Sequence, residues 1–296
     1  MGAARRASVP LVLFGAVGLA VAAAQPTAQM PDVEAVMARA AGYVARFIQA
    51  FSNVVTEEHY VQHVATGGPS GVLRRGAQRD GQRDIRSDLL LVHVGGLIEW
   101  RPFRDVFEVG GAPVRNRDGR LAELFSRQAS DVLAQADAIA AESSRYNIGI
   151  ERTINTAVHT LLFLRPSLQP RFRFTLDRSD ASVGADVWIV KYEERARPTL
   201  IRGDRDIDLP ASGRFWIDAR TGCVLRSELV TYSGNGTARV TTTFRVDPET
   251  GIALPIEMHE DYQLQRGRVT ATATYGKFRH FAVSTDATIG GATPKP

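Results

Sequence analysis

The sequence predicts an α+β domain: a curved antiparallel β-sheet, or incomplete β-barrel, covered by two or three helices. Three observations carry this. Five runs between Gly213 and Val283 alternate in polarity and are joined by tight turns: GRFWID, CVLRSELVTY, TARVTTTFRV, LPIEMHEDYQLQ and VTATATYGKFRHFAV. Such alternation gives a strand one wet face and one apolar face. An apolar stripe at three-to-four-residue spacing runs from Val33 to Phe51, as a helix laid on a core requires. Strands lie on both sides of the helical stretches with no low-complexity linker or solenoid repeat between them, so residues 25–296 read as one domain.

The chain has 296 residues, 44% hydrophobic and 23% charged, which are globular values. At the N-terminus, Arg5 and Arg6 precede a 15-residue apolar run, Val9 to Ala23. That run is shorter than the ~20 residues of a membrane span. Small residues at Ala22 to Ala24 complete a secretory signal peptide, residues 1–24, with cleavage after Ala24. The alternative is an uncleaved anchor. The mature chain is therefore expected in the periplasm or outside the cell, with no transmembrane segment. No cysteine near the cleavage site offers a lipid anchor. The single cysteine, Cys223, excludes an internal disulfide and reads as a small buried apolar residue.

The first helix is expected from Pro31-Asp32, with proline in its first turn. Asn53 to Ala65 reads as a strand and Gly67 to Gly71 as a break. Arg74 to Arg83 reads as a polar edge or loop, and Ile85 to Val94 as the next strand. Trp100 to Val114 reads as a hairpin around Gly110-Gly111, in which Arg104 pairs with Asp105 or Glu108. Helical spacing returns from Arg120 to Ser144. A second, very apolar helix, Ala157 to Arg165, is capped by Asn155 or Thr156 and stopped by Pro166. Arg171 to Leu176 and Asp186 to Tyr192 are strands, and Arg195 to Pro210 is a charged connection. Residues 289–296 read as a disordered tail.

The formal charge is +4 with an isoelectric point near 9.4. The arginines are interleaved with acids and form no basic stripe, so nucleic acid is excluded as a partner. In the C-terminal meander, Val240, Thr242, Phe244 and Val246 share the apolar face with Ile256, Met258, Tyr262 and Leu264, and with Val269, Ala271, Ala273 and Tyr275. The small alanines leave room for a covering helix or for a ligand.

Reactive chemistry is sparse. Glu57, His59 and His63 share one strand face, as do Glu257, His259 and Asp261; both sets read as wet outer faces rather than metal ligands. Gly68-Pro69-Ser70-Gly71-Val72 lacks the last glycine of a nucleophile elbow. No phosphate-binding or dinucleotide glycine pattern occurs. The expectation is a non-enzymatic protein with no catalytic residue, metal or cofactor.

GRFWIDARTGCVLRSELV, a strand ending Trp-Ile-Asp, a Thr-Gly turn and a strand carrying Leu-Arg, resembles the C-terminal sheet of the LolA/LolB-like and LppX-like lipoprotein-carrier superfamily. The resemblance covers about a third of the chain. It implies a half-barrel closed by helices, with an apolar hollow for acyl chains. SDLLLV, WRPFRDVFEVGGAPVRNRDGRLAELF and SSRYNIGIERTIN resemble a family of exported bacterial proteins; that likeness implies export and assigns no activity. The leading expectation is a periplasmic carrier for a lipid or acylated protein. Its cavity candidates, chosen by face and size, are Trp188, Phe215, Leu225, Phe244, Met258, Tyr262 and Tyr275. The alternatives are a structural or interaction protein of the envelope with a filled core, and a hydrolase with an unrecognised site.

Overall fold

The computed structural model describes residues 30–51, 54–65, 81–93, 100–114, 117, 129–152, 154–234 and 236–280. The expected signal peptide, the Gly67–Gly71 break, residues 120–128 of the expected helix and the tail lie outside the described residues. From Pro31 onward the chain is a single unit.

The described strands are β1 (Val54–Ala65), β2 (Gly81–His93), β3 (Trp100–Val109), β4 (Ala112–Pro113), β5 (Phe172–Ser179), β6 (Val187–Glu194), β7 (Ser212–Asp218), β8 (Val224–Ser233), β9 (Gly236–Val246), β10 (Ala253–Leu264) and β11 (Gly267–His280). They form one 11-stranded sheet in the order β4-β3-β2-β1-β11-β10-β9-β8-β7-β6-β5. Neighbours pair antiparallel throughout. Every pair joins consecutive strands except one. β1 pairs with β11 at the seam, where Val64 faces Val269 and Tyr60 faces Ala273. The sheet is open: β4 and β5 stand at opposite edges. An α+β fold with a large open antiparallel sheet is what the alternating runs predict.

Helix α1 (Val33–Phe51) and helix α2 (Ala129–Ser144) cover the sheet with a short 3-10 helix, His159–Leu164. Asp32 caps α1: its carboxylate accepts from the amides of Glu34 (3.3 Å) and Ala35 (3.2 Å). Pro31 therefore precedes the cap instead of occupying the first turn. Val36, Met37, Ala40, Tyr43, Val44, Phe47 and Phe51 are buried, and each large side chain among them contributes roughly 1.5–3 kcal/mol. The Asp218–Gly222 turn seats α1. Asp218 Oδ1 accepts from the amides of Arg220 (3.0 Å) and Thr221 (2.8 Å), and Arg39 donates to the Ala219 carbonyl at 3.0 Å. Gly222 has φ +77°, and a Cβ there would stand 2.3 Å from the backbone carbonyl of Arg39. The Thr-Gly turn thus has a packing reason.

Some expectations are corrected. The apolar run after Asn155 is a 3-10 helix preceded by Val158, with no side-chain cap. The Asn155 amide turns inward to Tyr60 Oη (3.4 Å) and Asn147 Oδ1 (3.4 Å). Arg104 pairs with Glu58 rather than Asp105 or Glu108, because β3 turns its guanidinium inward under the covering layer. Val246 is 43% exposed at the end of β9, where nothing covers the apolar phase. The inner face is not uniformly apolar either: Glu58, Gln62, Ser87, Arg104, Thr242 and Glu260 are buried on it. His59, His63 and His259 are exposed, and no metal-holding group of three occurs among the described residues. No described helix is long and apolar enough to cross a membrane.

Candidate binding cleft

The inner face divides into a filled centre and a hollow flank. In the centre, Phe215, Phe244, Met258 and Tyr275 join one apolar core with α1 and the 3-10 helix. Leu225 is half-buried at the rim of that core and packs as well on Val187, Ile189 and Trp216. Trp188 is half-buried opposite Ile217. Tyr262 stands apart, clustered with Val64 and Val269.

Next to this core lies a buried polar seam. Glu58, with a fully buried side chain, takes two bonds from the Arg104 guanidinium, one of them at 2.7 Å. It also accepts from Ser87 Oγ (2.6 Å) and Tyr275 Oη (2.8 Å). Arg104 donates to the Asn155 carbonyl (2.9 Å) and lies 4.1 Å over the Tyr60 ring. Burial pushes the Glu58 carboxyl up, but Arg104 and the hydroxyl donors outweigh it and hold the group below its usual value. Arg152 forms a second pair with Glu260 at 3.4 Å, both side chains being fully buried. Its guanidinium also bonds Gln62 and Asn147 and lies 5.7 Å from the rings of Tyr60 and Tyr262.

The hollow flank is a cleft of about 690 Å³. Its floor is the end of the sheet. Thr231, Ala238 and Tyr262 form one lateral row across β8, β9 and β10. Small Ala238 at the middle of that row makes the depression. The roof consists of two irregular segments. One carries Ile150, Arg152 and Ile154; the other carries Ile201, Ile207 and Leu209. Gly149 lets the first segment rest on the sheet. It has φ +86°, and a Cβ there would meet Val269 Cγ2 at 2.6 Å. The Ile148 amide donates to Gln62 Oε1 (3.0 Å), which fixes the segment. Buried Glu194 fixes the second, accepting from the amides of Leu200 (2.8 Å) and Ala211 (3.2 Å). Ile207 at the mouth is 59% exposed.

A smaller cavity of about 400 Å³ lies beyond Glu151 and Arg152, which line both spaces. Its walls include Arg104, Asn147, Asn155 and His159. The His159 Nε2 atom is enclosed without a hydrogen-bond partner, and burial lowers the imidazole to about 4. Unfolded, a histidine titrates near 6.5. Between these values the unfolded chain binds the extra proton, so stability falls as pH falls from about 6.5 to about 4. Thermal melts of His159→Leu over that range are expected to lack this slope; an unchanged slope would assign it to other groups.

Of the seven residues selected from sequence, Tyr262 lines the cleft and the other six do not. Sequence reasoning missed Arg152, Thr231, Ala238, Ile201 and Leu209. It also passed over Glu260, which sits in phase with Met258 and Tyr262 and was legible as inward-facing from alternation alone. The roof segments have no period, so nothing in the sequence brings them to the sheet.

The chain matches no protein-family model and no curated protein. Among solved structures, it is similar to a Vibrio parahaemolyticus crystal structure provisionally described as an outer membrane lipoprotein-sorting protein domain. The identity is 12% and the TM-score 0.35, over 80% of this chain and 90% of that one.

Proposed function

We propose that the protein is a non-catalytic binder that holds the acyl chain of a lipid or acylated partner in the flank cleft. The observation that carries this reading is the cleft itself. At about 690 Å³ it falls within the range of small-molecule sites, and isoleucines of both roof segments line it with Leu209. Burying one methylene in such a space stabilises by about 0.8 kcal/mol, so a chain of eight to ten carbons gains several kcal/mol.

The test is to fill the floor. Ala238 is half-buried between Thr231 and Tyr262, and a larger side chain there points into the cleft. Ala238→Phe is expected to keep the wild-type thermal transition while its affinity for a fluorescent acyl probe falls at least about tenfold, or ~1.4 kcal/mol. Equal probe binding by Ala238→Phe and wild type would defeat the proposal. A second reading, a structural or interaction protein of the envelope, is favoured by the filled centre, where Met258, Phe215 and Ala273 are fully buried. Wild-type protein that binds no acyl probe would leave that reading standing.

A further inference from the structure

The two edges of the described sheet differ. β4 is two residues long and ends on Pro113, which has no amide to donate. β5 runs from Phe172 to Ser179 and has a neighbour on one side alone, β6. The Arg195 amide donates to the Arg171 carbonyl at 2.7 Å, so Arg171 turns its backbone toward β6. An antiparallel ladder alternates, and Arg173 and Thr175 follow in the same phase opposite Glu193 and Lys191. Phe174 and Leu176 therefore aim their amides and carbonyls at the open edge. Among the described residues nothing bonds those groups. Phe172 shares their phase, but its amide already donates to the Gln169 carbonyl.

An open edge is a template for one more strand. The side chains say which strand fits. Arg173 and Thr175 are exposed on the outer face, and Asp177 joins them there, 3.1 Å from Lys191. The order along the strand is thus a cation, a neutral residue and an anion. Pair β5 antiparallel with the β5 of a second copy about a two-fold axis at Thr175. Arg173 then faces the partner's Asp177, and the same contact repeats across the axis. Facing opposite charges stabilise a strand pair and facing like charges destabilise it. An axis at Phe174 or Leu176 would face one of these charges with Thr175. An axis at Arg173 or Asp177 would set like charges together. The Thr175 register also matches the free backbone groups, because Phe174 exchanges hydrogen bonds with the partner's Leu176. On the inner face both residues are half-buried at the rim of the core, and each would cover the other.

We propose that β5 joins two copies of this chain edge to edge about a two-fold axis at Thr175, so that the sheet continues from one protomer into the next. The proposal is independent of what occupies the cleft.

Sedimentation velocity of the purified protein from about 1 to 500 µM tests it. A contact of one strand is smaller than a standard interface, so the dimer is expected to be weak and to grow with concentration. Arg173→Asp and Asp177→Arg are each expected to weaken it about tenfold or more. An equimolar mixture of the two variants is expected to recover it, because every facing pair is again of opposite sign. Leu176→Pro removes an amide that the monomer does not use, at an edge position where proline is tolerated. It is expected to stay folded in thermal melts and to stay monomeric. Asp177→Arg also loses the contact with Lys191; if it does not fold, Arg173→Asp and Leu176→Pro carry the test. Wild type that is monomeric throughout overturns the proposal. So does dimerisation that survives Arg173→Asp and Leu176→Pro, or a mixture of folded variants no more dimeric than its components.

Discussion

Arg104→Ala is expected to destabilise the protein by about 3–5 kcal/mol, the cost of stranding one member of a buried ion pair. The stranded member is Glu58, whose side chain is fully buried. In wild type the depressed Glu58 carboxyl contributes stability that is present above its unfolded value and lost as pH falls through the folded one. Removing Arg104 inverts this. Burial then acts without its counterweight, the folded value rises above the unfolded one, and the lost stability returns as pH is lowered. Urea titrations at neutral and acidic pH check both parts. Glu58→Gln in the Arg104→Ala background is expected to recover much of the loss at neutral pH. A loss under about 1 kcal/mol at neutral pH would show that the pair is solvated.

Ala273→Phe is expected to damage the fold, not a binding site. Ala273 is fully buried where β11 meets β1 and β10, facing Tyr60 on one side and Met258 on the other. Both neighbours are themselves fully buried. A phenyl ring there overpacks the seam at about 1–3 kcal/mol or more, lowering the thermal transition by roughly 2–12 °C. Thr272→Phe, on the outer face beside His259, is the control and should fall within about 0.5 kcal/mol of wild type. An Ala273→Phe protein as stable as wild type would reveal unfilled space at the sheet centre.

The contrast between Ala273 and Ala238 explains how far sequence reading reached. Both are small, both lie inward on a strand of the meander, and alternation marks their faces equally well. Period-two alternation reports which face a side chain takes, so the meander, its turns and its core were legible. It does not report what stands opposite. Ala273 lies in the filled core that α1 joins, whereas Ala238 lines the cleft with Ile150, Ile154, Ile201 and Leu209. The roof segments are placed by individual polar contacts such as Gln62 to Ile148 and Glu194 to Leu200, which leave no periodic trace. Arg104 was misassigned for a related reason. Its partner Glu58 is distant in sequence, and local spacing offered Asp105 and Glu108 first.

The seam has a consequence for how the chain acquires its structure. β2 to β4 and β5 to β11 are meanders whose pairings are mostly local. The β1–β11 pairing instead closes a loop of roughly 200 residues. Against a three-residue hairpin loop that is about six doublings in length, or roughly 3.6 kcal/mol of additional closure entropy. A chain made from its N-terminus therefore carries β1 with one open edge until the last strand exists. During that interval the edge is a template for pairing with another copy of the chain. The order of synthesis leaves the two meanders to wait for each other, and pairings of such long sequence separation are intrinsically slow to form.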